Sequence, residues 1–139
     1  MKTIILKGRP AFGGIAGGEA LVCPDSIAGN TGSLGETDGI IYEHGNPNRG
    51  KCIKDTILVL PCAKGSCGWS CHFKSAKING NAPAGWVVTI IDSRIGVAIA
   101  SLEKPAVCDF AEADPVKIIK TGDWVKIDGS TGIVEITPK

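Results

Sequence analysis

The sequence predicts an α/β fold, with a central parallel β-α-β-α-β unit and a flanking β-rich layer. Three observations carry this. Residues 57–60, 86–91 and 106–108 are short apolar or β-branched runs, separated by two stretches with helical signals. Such alternation requires parallel strands joined by crossover helices. The segments before residue 44 and after residue 123 read instead as strands and turns, ending in a hairpin.

Residues 3–7 form a first strand, which Gly8, Arg9 and Pro10 break. Residues 11–18 read as a glycine-rich connection and 19–22 as a second short strand. The Ser, Asn, Thr and Gly content of 24–39 marks a loop. Residues 39–43 read as a strand, and Asn46, Pro47 and Asn48 as a turn. The run from Ile57 to Leu60 has the composition of a buried strand, which Pro61 stops. Ser70 reads as the N-cap of a helix reaching about Lys77, with Asn79 and Gly80 as its stop signal.

Residues 86–91 are a continuous strand. Ser93 reads as the cap of a second helix through Ser101, with Ile95, Ala98, Ile99 and Leu102 on one side. Residues 106–108 complete the parallel unit, and 114–120 read as one short helix. Residues 124–128 and 133–136 alternate cleanly, and Gly129, Ser130, Thr131 and Gly132 join them.

With 139 residues, the chain predicts a single domain, 1–139. The net charge is +1, the lysines are scattered and only 5% of residues are aromatic. A nucleic-acid surface needs a basic stripe with stacking aromatics, so that class is excluded. No run approaches a membrane span, and the apolar part of the first seven residues is too short for a secretion signal. The expected compartment is the cytoplasm, with the six cysteines as free thiols.

Reactive groups concentrate in residues 57–72, where a strand empties through Lys64, Gly65, Ser66 and Gly68 into a helix start. Backbone N–H groups and the helix dipole favour negative charge at such a junction. Trp69 and Phe73 lie at i and i+4. Phe73 reads as core, and Trp69 as pocket wall or contact surface. Cys62, Cys67 and Cys71 with His72 raise a metal reading, but C-x4-C-x3-C matches neither a zinc knuckle nor a standard cluster run.

Further residues carry a resemblance: Gly8-Arg9; Gly17-Gly18-Glu19-Ala20-Leu21-Val22; Gly50-Lys51-Cys52-Ile53; Leu58-Val59-Leu60-Pro61; Lys64-Gly65-Ser66 with Ser70; Asn79-Gly80; Ala82-Pro83-Ala84; and Thr121-Gly122-Asp123. In this order and spacing they resemble the small subunit, or swivel domain, of the aconitase X family. The resemblance covers nearly the whole chain. It departs at Gly65-Ser66-Cys67-Gly68-Trp69-Ser70, where the family reads Gly-Ser-x-x-Gly-Ser.

The resemblance implies a β/β/α swivelling domain. It also implies a heteromeric hydro-lyase, a dehydratase acting on a small hydroxy acid. Hydroxyproline, mevalonate phosphate and other hydroxy acids stay open as substrates. Ser66 would be the general base, with Lys64, Gly65, Cys67, Gly68, Ser70 and Arg9 as substrate-binding residues. An aconitase X-type large subunit would hold an iron-sulfur cluster or iron, with no cofactor in this chain. A second reading is a module of the same fold. It would carry phosphate on His72, in a stretch similar to that of swivelling phosphohistidine carriers, or bind metal through Cys62, Cys67 and Cys71.

Overall fold

The computed structural model describes residues 3–30, 32–65 and 68–139. In chain order the elements are β1 (Ile4–Lys7), β2 (Arg9–Phe12), β3 (Ile15–Val22), β4 (Ile57–Leu60), α1 (Trp69–Ile78), β5 (Gly85–Val88), α2 (Ser93–Leu102), β6 (Ala106–Cys108), α3 (Pro115–Ile118), β7 (Trp124–Asp128) and β8 (Ile133–Thr137). The strands are ordered β1-β8-β7-β3-β4-β5-β6-β2. β3, β4, β5 and β6 are parallel neighbours. β1, β8, β7 and the first half of β3 pair antiparallel, as do β2 and β6.

Two crossings turn this order into stacked layers. β3 serves both: Ile15 to Glu19 pair with β7, and Ala20 to Val22 pair with β4. At the other edge only Gly8 separates β1 from β2, so the two ends of the strand order are continuous in the chain. The Gly8 N–H donates to the Gly132 carbonyl at 2.8 Å.

One core lies between the β layers. Leu6, Val125, Ile127, Val134 and Ile136 meet Ile57, Val59, Val87 and Val107 there. The other lies under the helices, where Leu58, Leu60, Trp86 and Val88 meet Trp69, Phe73, Ile95 and Ile99. The parallel strands are thus covered on both faces, which is why 57–60 reads as an unbroken apolar run. The β/β/α layering agrees with the expected α/β class. Among the described residues, no helix is long and apolar enough to cross a membrane.

Several boundaries differ from the sequence reading. Residues 9–12 and 15–18 are strand, because β6 and β7 supply backbone partners that local composition does not reveal. Residues 39–43 form no strand; Leu34–Ile41 and Ile40–Cys52 are isolated bridges. The strand expected over 86–91 is β5, which ends at Val88. The Ile91 N–H is taken by the Asp109 carboxylate (2.9 Å) instead of a neighbouring strand. Asp92, not Ser93, caps α2: its side chain accepts from the Ile95 N–H at 3.0 Å. The first turn of α1 closes from Cys71 N–H to the Gly68 carbonyl (2.9 Å), so Ser70 sits inside the helix instead of capping it. α3 is shorter than expected, with Asp114 as its cap.

Gly129, just after β7, packs directly against the backbone of β2 and β6. Its N–H donates to the Gly14 carbonyl at 2.8 Å. A Cβ at this position would overlap the Phe12 carbonyl oxygen and stand 3.1 Å from the Ala106 nitrogen. Gly129→Ala should therefore destabilise the chain by about 1–3 kcal/mol. The readout is a lower urea midpoint with an unchanged slope; an unchanged midpoint would show that the layers can part there without cost.

Candidate functional site

β3, β4, β5 and β6 run parallel, so their carboxyl ends share one edge of the sheet. Ligands of open α/β sheets bind at such an edge. The β4–α1 connection leaves it at Pro61, and its described residues 61–65 are anchored to the loop after β3. Ala28 and Lys64 form a parallel bridge, and the Gly29 N–H donates to the Lys64 carbonyl at 2.8 Å. Ser26, buried and in the left-handed region at φ 60°, donates its hydroxyl to the Cys62 carbonyl at 2.5 Å. Gly65 lies at φ +83°, with its Cα hydrogen side only 3.0 Å, measured from a would-be Cβ, from the Gly29 nitrogen. A side chain there would be strained by backbone and neighbour alike.

Glu43 ties this loop to the long β3–β4 connection. Its carboxylate accepts from Lys64 Nζ at 2.7 Å, the Ala28 N–H at 2.9 Å and Asn46 Nδ2 at 3.0 Å. Asn46 also donates to the Ser26 carbonyl at 2.9 Å. Burial pushes the Glu43 carboxyl up, but the bonds from Lys64, Asn46 and Ala28 outweigh it and hold it below its ordinary value. These side chains wall a cleft of about 430 Å³, together with Ser26, His44 and Cys62. The Lys64 side chain is 42% exposed at its margin, against 14% for Glu43.

On the other flank α1 is anchored by its aromatic residues. Trp69 is fully buried, donates Nε1 to the Ile27 carbonyl at 2.6 Å, and packs on Phe73 and Trp86 at ring-centre distances of 4.3 and 6.1 Å. It is core and not pocket wall, because its ring fills the space between α1 and β5. His72 is 8% exposed, and its Nε2 donates to the Gly29 carbonyl at 3.0 Å. Its Nδ1 stands 3.6 Å from the Glu36 carboxylate. A phosphate carrier needs an accessible ring nitrogen; this ring instead fastens α1 to the loop beside Lys64.

The expected site residues are dispersed as follows. Ser66 and Cys67 lie outside the described residues. Lys64 lines the cleft, Gly65 follows it, and Gly68 and Ser70 stand at the start of α1. Arg9 is on β2, paired through Nε (2.8 Å) and Nη2 with Asp109, and is not part of the cleft wall. Three strand spacings separate β2 from β4, about 14 Å. Cys62 and Cys71 are exposed thiols, and Cys23, Cys52 and Cys108 are free as well. Among the described residues, no three His, Cys, Asp or Glu side chains converge to hold a metal ion.

Glu43, Asn46 and Ser26 had no signal in the sequence. Ser26 sits in a stretch read as loop, Glu43 at the end of one read as a strand and Asn46 in a turn, and packing alone brings them to Lys64.

The family model described as the aconitase X swivel domain matches residues 5–136. The phosphomevalonate dehydratase small subunit of Methanosarcina acetivorans is 37% identical over 140 residues, covering 100% of this chain and 96% of that protein. Its counterpart from Methanococcoides burtonii is 36% identical over 138 residues, covering 98% of each. The crystal structure of Thermococcus kodakaraensis aconitase X in its holo-form superposes with a TM-score of 0.87 at 31% identity, over 96% of this chain and 98% of that one.

The depressed carboxyl of Glu43 fixes the sign of a pH effect. Its stabilisation is present above the unfolded-state value and is lost as pH falls through the lower folded-state value. Glu43→Gln should cost about 1 kcal/mol near neutral pH. The gap to the wild type should close in acid, below the ordinary carboxylate range. Urea melts at several pH values measure it; a gap independent of pH would mean that the charge on Glu43 does not contribute.

Proposed function

The chain belongs to the aconitase X swivel domain family, and from that membership we propose that it is the small subunit of a dehydratase acting on a phosphomevalonate-type hydroxy acid. The observation that carries the reading is the match to named small subunits along 98–100% of this chain. Residues 1–139 act as one swivel-type domain, which closes over a large subunit and is inactive without it. Its setting is the cytoplasm.

In this reading Ser66 is the general base. Dehydration removes a proton next to a carboxylate and expels hydroxide from the neighbouring carbon. A serine hydroxyl is a weak base until its alkoxide is stabilised. Lys64 supplies a cation one residue from Gly65, and the start of α1 supplies backbone N–H groups and the positive end of a dipole. Their placement at the carboxyl edge of the sheet, beside an open cleft, supports this role. The Lys64 ammonium is not bare: Glu43 sets its position and tempers its charge. Gly65, Cys67, Gly68 and Ser70 would line the substrate's path, with Arg9 further along the same edge.

An iron centre does not fit the described residues of this chain, which bring no three metal-ligating side chains together. The reading places it, as a cluster or single iron, in the large subunit.

Ser66→Ala, reconstituted with the large subunit, should lose about 10²–10⁴-fold in turnover of phosphomevalonate. Assembly, followed by gel filtration, should be unchanged. Wild-type turnover in that variant would end the assignment of Ser66.

A further inference from the structure

We propose that Arg94 is a positioning residue for the loop that leads into Ser66, acting with Asp92 as a clamp on residues 63–65. This rests on the reading of Ser66 as the base, and the geometry of the clamp stands on its own.

Arg94 lies in the first turn of α2, at the carboxyl edge where β5 ends. Its Nη1 donates to the Gly65 carbonyl at 2.8 Å, and its Nη2 reaches the Ala63 carbonyl at 3.4 Å. The same Nη2 stands 3.3 Å from Asp92 Oδ2, which also accepts from the Ala63 N–H at 3.3 Å. The other Asp92 oxygen caps α2 through the Ile95 N–H. The carbonyl between, that of Lys64, points the opposite way, to the Gly29 N–H.

Successive carbonyls therefore face alternate sides, as in a strand. Gly29 is the backbone neighbour on one side. On the other side, among the described residues, no strand pairs with 63–65; the guanidinium takes that place, offering N–H groups in a rigid fork. With the Ala63 and Gly65 carbonyls both held, the backbone of 63–65 is tied to the first turn of α2. Arg94 thus restrains the last described residues before Ser66. Lysine has three donors on one nitrogen but lacks the rigid fork that meets both carbonyls.

Two measurements test this in the reconstituted complex. The first is amide hydrogen exchange of the segment around residues 63–65, which does not depend on the chemistry. Exchange there should quicken in Arg94→Ala, while β4 and the body of α2 keep wild-type protection. The second is steady-state kinetics with phosphomevalonate. Arg94→Ala should lower kcat by about 10- to 100-fold, since a displacement near 1 Å can cost that much. KM should move far less, and millimolar guanidinium should restore part of kcat. Arg94→Lys should fall between wild type and Arg94→Ala.

Unchanged exchange at 63–65 overturns the clamp. A wild-type kcat in Arg94→Ala, with Ser66→Ala dead, overturns the positioning role and leaves the base assignment intact. A fall in kcat for Arg94→Ala with Ser66→Ala fully active overturns the base and supports Arg94 as positioning the loop.

Discussion

The carboxylate of Glu43 is the constraint on which the site depends. Three donors from three stretches of chain converge on it: Lys64 Nζ, the Ala28 N–H and Asn46 Nδ2. A carboxylate has about four acceptor positions, so this one is nearly saturated. The described residues of the β3–β4 connection around it, within 23–56, contain only isolated bridges. Such a long connection needs its own anchors. Ile27, Leu34, Ile41 and Ile53 bury into the helix-side core, and Asn48 donates to the Val22 carbonyl at 2.6 Å. Glu43 then ties this packed loop to the one carrying Lys64.

The layering explains why the chemistry gathers at one edge. Parallel strands send their carboxyl ends the same way, and three of the four, β4, β5 and β6, are followed there by a charged pair. Lys64–Glu43 follows β4, Arg94–Asp92 follows β5 and Arg9–Asp109 follows β6. An anion arriving at Lys64 must compete with an internal carboxylate. That favours a site built to place backbone and side chains over one built to capture charge. The antiparallel layer takes no part in the edge. It backs the parallel sheet from behind and keeps its strands dry.

Local signals made the parallel unit legible. The strand at 57–60, the strand at 106–108 and the hairpin from 124 onward stand where apolar runs, alternation and turn glycines put them. Helix starts were misread by a residue or two, because serine, aspartate and glycine are all plausible caps and only geometry selects one. The strand content of 9–18 was hidden, since a glycine-rich run becomes a strand only when β6 and β7 arrive to pair with it. Trp69 was misplaced because i, i+4 spacing fixes a helix face and not what covers it.

By itself, the sequence determined the order of strands and helices in the parallel unit and the family resemblance, and it drew attention to residues 57–72 as the stretch densest in reactive groups. Those properties depend on residues near one another in the chain. Only the tertiary structure decided that Lys64 meets Glu43, that His72 turns inward to Gly29, and that Arg94 grips the carbonyls on either side of Lys64. Each of those contacts joins segments at least 21 residues apart in number. Such distances carry no periodic signal; they close only when two β layers and a helix layer pack together and leave the loops one way to satisfy their polar groups.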